Sequence, residues 1–262
     1  MSALAGHTNS YHPYSFEQAL AGIAEAGYGA VELSAVPDWT EHVDVHGDPA
    51  DTRARLEHFG LRAVSISGHS DLTTREGLEH GLAVLRWAER FGVPIVNTAI
   101  GGHAHVQESE DAFLANIRTL ADAAGAAGLV VALEIHGDLM ASGERSLPLL
   151  ERIGHPAVKV NYDTANVEHY AGVRAEDDLP IIADRVANVH LKDMRGGKGD
   201  WDFPAIGEGH VDFGRVLEIL RRAGYDGPYS VEIEFDGTWP ALDDVTAAMR
   251  ASRETLAQHG LS

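Results

Sequence analysis

The sequence predicts an α/β protein folded as a single (β/α)8 TIM barrel over residues 1–262, and three observations carry that expectation. Eight short runs rich in Val, Ile and Leu alternate with stretches of helical periodicity, the pattern of βαβ units around a parallel sheet. After the first, successive runs begin roughly 30 residues apart, with a wider gap before the last, the length of one strand, one helix and their loops in such a barrel. No long linker rich in Pro, Gly or Ser interrupts the series. An open doubly wound sheet is the alternative, but it calls for a glycine-rich phosphate turn after the first strand, and AGHTNSYH has no GxGxxG.

The elements follow in order. The first strand, at about residues 3–7, is the weakest. Ser15, three residues before Gln18, opens the first helix, because its hydroxyl can accept from a free backbone N–H while the amide reaches back. Gly27 can end that helix in the left-handed conformation, and Gly60, Gly92, Gly128 and Gly224 hold the same place before later strands. The second and third strands are residues 30–33 and 62–66, followed by a helix opened by Thr73, three residues before Glu76. Strands four to seven are residues 94–99, 130–135, 158–162 and 186–191. Residues 213–223 put Val216, Leu217 and Leu220 on one face and Glu218, Arg221 and Arg222 elsewhere, as an outer barrel helix requires. The eighth strand is residues 229–233.

Composition narrows the partners. Lys and Arg number 20 against 40 Asp and Glu, a formal net charge of −20 before any of the 15 histidines is counted. Such a chain repels phosphate backbones and anionic lipid, so neither a nucleic-acid nor a membrane partner is expected. Without cysteine, disulfide scaffolds, thiolate zinc sites and cysteine nucleophiles drop out. The leading MSALAGHTNSYHPYS has no basic leader and no apolar run, which makes a cytoplasmic location the expectation.

In a (β/α)8 barrel the chemistry sits at the carboxyl ends of the strands. There VVALEIHGD places Glu134 on the fifth strand, VKVNYDTAN places Asp163 on the sixth, VANVHLKD places His190 on the seventh, and YSVEIEF offers Glu232 and Glu234 on the eighth. Each charged residue interrupts an apolar strand, which is costly unless it is paired or bound to a cation. Singly, Glu134 or Asp163 reads equally as an acid bridged to Lys159 or Lys192, and His190 as a core histidine. Jointly, three carboxylates and one imidazole on consecutive strands suit one divalent metal ion. Oxygen-rich ligation favours Mn2+ or Mg2+, with Co2+ able to substitute, over structural zinc.

From Glu134 onward the segments LEIHGD, NYDTAN, VHLKD, IGEGHVDF and GYDGPYSVE make the chain resemble the xylose-isomerase-like barrels of sugar isomerases and epimerases, among them ketose 3-epimerases, hydroxypyruvate isomerases and inosose dehydratases. The resemblance implies a metal held by Glu134, Asp163, His190 and Glu232. Glu232 is preferred to Glu234 because it lies five residues after the glycine of the GYDG turn, and Glu234 is the fallback on the same face. It further implies a small keto sugar or oxidised sugar as substrate, a metal-stabilised enediolate, and Glu134 and Glu232 as the acid/base pair on its two faces. Burial is expected to raise both glutamates toward neutrality. Dimers or tetramers are the oligomers that the resemblance implies.

His69, His103, His136, Lys192 and Arg195 are the expected substrate-binding residues, with Asn9, Tyr11 and His12 as weaker candidates. Two positions depart from the ketose 3-epimerase pattern, with Asn166 where a histidine follows the sixth-strand aspartate and Met140 where a further glutamate would contact substrate. Asn166 and the WDFPAIGEG loop also lack ligands of the three-zinc abasic-site endonucleases. No phosphate cradle follows the seventh and eighth strands, so neutral substrates are expected over phosphorylated ones. Two alternatives use the same residues: a lyase that expels a β-hydroxyl from an inosose-like or 3-keto substrate, and a sugar-binding barrel without catalysis.

Overall fold

The computed structural model describes residues 3–101 and 109–262. Its parallel strands close into a barrel in sequence order: β1 (Leu4–His7), β2 (Ala30–Ser34), β3 (Arg62–Ser67), β4 (Ile95–Thr98), β5 (Val130–Glu134), β6 (Val158–Asp163), β7 (Val186–Leu191) and β8 (Tyr229–Val231). All eight expected strands are present, with ends moved by up to two residues. The last stops short because the N–H groups of Glu234 and Phe235 turn to the carbonyl of Phe203, forming an antiparallel bridge outside the barrel.

Around the barrel run α1 (Phe16–Glu25), α2 (Pro49–His58), α3 (Arg75–Phe91), α4 (Glu110–Ala127), α5 (Gly143–Ile153), α6 (Asn166–Ala171), α7 (Ala175–Asp178), α8 (Phe213–Arg222) and α9 (Leu242–Gln258). Ser15 and Gln18 form the expected reciprocal cap on α1, at 3.3 and 3.0 Å. The cap of α3 is Thr74, not Thr73: Thr74 accepts from Gly77, while the amide and hydroxyl of Thr73 are engaged by the Asp71 carboxylate. Gly92 and Gly128 end α3 and α4 at φ +88° and +70°, a conformation that costs side-chain-bearing residues free energy. Helix α8 buries Phe213, Val216, Leu217, Ile219 and Leu220 against the barrel. Each such side chain contributes about 1.5–3 kcal/mol when fully buried. No helix among the described residues is long and apolar enough to cross a membrane.

Two features of the barrel position its mouth. Register shifts at Val31/Glu32 and Val160/Asn161 break the even ladder and change the direction of the following side chains. Branched aliphatic residues usually fill the interior of such barrels, but here one layer is polar and fully buried: Glu32, Ser65, Asn97, Asn161, Asn188 and Ser230. The long segment between β7 and α8 accounts for the wider sequence gap. It is folded around Asp193, whose carboxylate accepts the backbone N–H groups of Gly207, Gly209 and Val211 at 2.8–3.1 Å. A side chain at Gly209 would come within 2.2 Å of that carboxylate, so only glycine fits there.

Candidate metal and substrate site

At the carboxyl ends of the strands lies a cavity lined by His7, Asn9, His69, Glu134, Lys192 and Glu232 among others. At its floor Glu134, Asp163, His190 and Glu232 each offer a donor atom, all within 4.8 Å of one another. The ladders bring them there, with Asp163 paired to His190 across β6 and β7, and His190 to Ser230 across β7 and β8. The His190 Nδ1 atom lies 3.3 Å from Glu232, 3.4 Å from Glu134 and 4.0 Å from Asp163.

This donor set fits a divalent cation. Asp163 Oδ1 is satisfied by the N–H groups of Ala165 and Asn166, both at 2.8 Å. Its Oδ2 and the His190 Nδ1 are buried without hydrogen-bond partners, and they converge with two further carboxylates. Buried polar atoms left unpaired cost about 1–3 kcal/mol each, and a hard cation taking oxygen ligands with one nitrogen would satisfy both.

The two glutamates have different neighbours. Glu134 receives the amides of Asn161 at 3.1 Å and Asn166 at 2.9 Å, and lies 3.0 Å from His69 Nε2. Glu232 accepts from His7 Nδ1 at 2.9 Å and Asn9 at 2.8 Å, with the Lys192 ammonium 3.3 Å away. Glu234 shares Asn9 and Lys192 with it but stands outside the four-residue cluster. Lys192, rather than Lys159, is the lysine beside Asp163, at 3.7 Å, and it sits 4.4 Å from the centre of the Phe203 ring.

These neighbours set the charges, and they correct the expectation that burial raises both glutamates. Burial does act that way on Glu134, but the imidazoles of His69 and His190 outweigh it and hold the carboxyl down at about 2. Against the same burial, Lys192, His190 and His7 keep Glu232 well below the carboxylate range. Asp163 is the group that rises: burial, with Glu134 and Glu232 nearby, takes it to about 7 despite Lys192. Burial would lower His190, yet Glu32, Glu232 and Glu134 hold it well above the usual imidazole value. Lys192 is kept charged against burial by Glu232, Glu234 and Asp163.

His69, His136, Lys192 and Asn9 line the cavity, and His136 Nε2 is 2.9 Å from the Tyr170 hydroxyl. His103 lies outside the described residues. Arg195 is not at the cavity: its side chain is 48% exposed and reaches Glu208 at 2.6 Å and Asp202 at 3.7 Å, drawn outward by these acids of its own loop. Tyr11 is fully buried, with its hydroxyl 3.3 Å from Thr246, so it serves the core. His12 stacks on Trp39 at 4.2 Å beside the mouth. Met140 is a core residue, and Asn166, the first residue of α6, donates a hydrogen bond to Glu134.

Sequence reasoning missed His7 and Glu32. Glu32 is fully buried under His190 and collects Asn97, Ser65, Ser230 and His190 at 2.6–2.9 Å. An isolated carboxylate there would cost several kcal/mol. His190 and His7 outweigh burial and keep it ionised. The signal was available in AVELS, where a glutamate interrupts an apolar strand as Glu134 does in VVALE.

Known proteins give the same picture of the fold. The family model described as xylose isomerase-like TIM barrel matches residues 20–259. The L-ribulose-5-phosphate 3-epimerase UlaE of Salmonella typhi is 26% identical over 253 residues, covering 90% of this chain and 88% of that protein. A solved L-ribulose 3-epimerase superposes with a TM-score of 0.79 at 20% identity, covering 99% of this chain and 94% of the other. A xylose isomerase-like TIM barrel protein from Mycobacterium smegmatis, solved in complex with magnesium, also gives 0.79, at 16% identity, covering 99% and 96% of the two chains.

Proposed function

The chain belongs to the xylose isomerase-like TIM barrel family, and from that premise we propose that it is a metal-dependent sugar epimerase or isomerase acting on an unphosphorylated keto sugar. The observation that carries this reading is the placement of Glu134 and Glu232. They come from β5 and the end of β8, strands that are not neighbours, and both reach within 3.4 Å of the same His190 nitrogen. Two carboxylates flanking one substrate position can remove a proton from one face and return it to the other, each step worth about 10²–10⁴-fold in rate.

Glu134, Asp163, His190 and Glu232 would hold one divalent cation, Mn2+ or Mg2+ by the hardness of the donors, with Co2+ as a substitute. Bound there, the cation supplies Lewis acidity that polarises the sugar carbonyl and makes the adjacent C–H acidic. Glu232, fixed as a carboxylate by Lys192, takes that proton. Glu134, a carboxylate at rest, first takes a proton from solvent through His69 and then delivers it to the opposite face. Lys192 and His136, at the cavity wall, orient the hydroxyls, while Trp39, Tyr170 and Trp201 cover the apolar face of the sugar and keep water out.

The similarity to L-ribulose-5-phosphate 3-epimerase supports the epimerase class. The cavity supports a substrate without the phosphate, since Lys192 is the one Lys or Arg among its described lining residues and is already engaged by two glutamates. The test is a panel of keto sugars and their phosphates with chelator-treated and Mn2+-reloaded protein, scored for epimer formation. Metal-dependent turnover of neutral sugars is expected, and turnover of sugar phosphates alone would refute the substrate assignment.

A further inference from the structure

Beneath the proposed metal ligands, the polar layer of the barrel converges on one carboxylate. Glu32 Oε1 lies 2.7 Å from the Asn97 amide and 2.9 Å from His190 Nε2. Its Oε2 accepts the hydroxyls of Ser65 at 2.8 Å and Ser230 at 2.6 Å, with the Asn188 amide at 3.3 Å. Five elements of the barrel, β3, β4, β7, β8 and β2 itself, thus contribute to one fixed acceptor. A carboxylate so placed requires its partners to be donors.

That requirement settles the His190 ring. Its Nε2 must carry the hydrogen that Glu32 accepts, which leaves Nδ1 as the nitrogen that faces Glu134, Asp163 and Glu232 and that becomes a ligand once a cation displaces its proton. The Asn161 amide nitrogen, 3.2 Å from Nε2, is itself a donor and reaches Glu134 at 3.1 Å. It therefore cannot replace Glu32 as the acceptor. The ring orientation and the proton position are both fixed from below, by a residue 158 positions away in sequence.

We infer that Glu32 is the positioning residue of the metal site, a side chain on β2 that holds the His190 Nε2–H and so presents Nδ1 as the single nitrogen ligand. Carboxylate partners of ligating histidines generally change metal affinity about 10- to 100-fold when removed. The inference rests on the metal-site reading above and deepens it: β2, which supplies none of the four ligands, sets the geometry of one of them.

The test pairs metal titration with the state of the ring. Chelator-treated wild type and Glu32→Gln are titrated calorimetrically with Mn2+, and the imidazole nitrogens are observed by 15N NMR after loading with diamagnetic Mg2+. The expected result is a 10- to 100-fold weaker affinity in the variant, with His190 in wild type protonated at Nε2 and metal-shifted at Nδ1. Ser65→Ala, which removes one donor to Glu32 without touching His190, should change affinity less than threefold. Equal Mn2+ affinity in wild type and a folded Glu32→Gln would overturn the inference. Should that variant not fold, the wild-type spectrum decides alone, and a proton on Nδ1 with metal on Nε2 refutes it. Wild type that binds no Mn2+ at all would instead refute the metal-site reading on which the inference rests.

Discussion

Glu134 and Glu232 stand on either side of His190 at nearly the same distance, yet their surroundings differ in kind. Around Glu134 are two neutral amides and the His69 imidazole, whose side chain is 15% exposed. Around Glu232 are His7, Asn9 and a fully enclosed ammonium, Lys192. A neighbour that can gain and lose a proton suits a group that must be recharged from solvent, whereas a permanent cation suits one that must stay ionised. The two glutamates are alike in chemistry, and the different roles proposed for them follow from their partners.

The largest disturbance of this contrast should come from Lys192→Met. Without the ammonium, the Glu232 carboxyl rises from its depressed value, so its basic form is lost at higher pH. The acid limb of the kcat/KM profile should move upward, with a loss of roughly 10²-fold near neutrality. An unshifted limb would show that Lys192 does not hold Glu232. On the other side, His69→Gln keeps a donor to Glu134 but removes proton exchange, and is expected to cost about tenfold in kcat. A solvent isotope effect larger than in wild type should accompany that loss, and wild-type kinetics in this variant would remove His69 from the proton route.

A smaller and purely thermodynamic effect concerns the metal-free protein. Asp163 titrates at about 7 in the fold against an ordinary aspartate value of 3.8. Its protonated form is therefore the one that the empty fold favours. The stabilisation is complete below about pH 4 and is lost as pH rises through 7. His190 is raised too, so its contribution persists below about pH 6.5 and is lost only through its own higher value. The melting temperature of chelated protein should fall between pH 5 and pH 8, and divalent cation should restore more of it at pH 8. A chelated protein whose melting temperature rises with pH would contradict these directions. Smallest of all is Arg195→Ala: the exposed ion pairs it makes are worth about 0–1 kcal/mol, and activity should stay within twofold of wild type.

The barrel was legible in the sequence because its strands are apolar runs with a regular interval, and the four clustered residues because each places a charge at the end of such a run. Other features depend on tertiary geometry. Thr73 and Thr74 are equally good caps by type, and only the Asp71 carboxylate decides between them. Arg195 reads as a substrate-binding residue because it lies in a locally basic loop, 192–198, but acids near it in the fold turn it away. Glu32 and His7 lie on β2 and the end of β1, where a lone polar residue reads as local irregularity until the closed barrel brings both beside β7 and β8. The charge states of Glu134 and Glu232 were misjudged for the same reason, because burial can be read from one strand but the cations that outweigh it come from others.

The roles proposed for the two glutamates are tested most directly by running the reaction in D2O with Mn2+-loaded wild type, Glu134→Gln and Glu232→Gln on the best keto sugar of the panel. One solvent deuterium should enter the epimerised carbon with wild type, and none with Glu232→Gln, which cannot remove the proton. Glu134→Gln should form no epimer, since the opposite face then has no donor. Full deuterium uptake with epimer formation in both variants would contradict the assignment of these two glutamates.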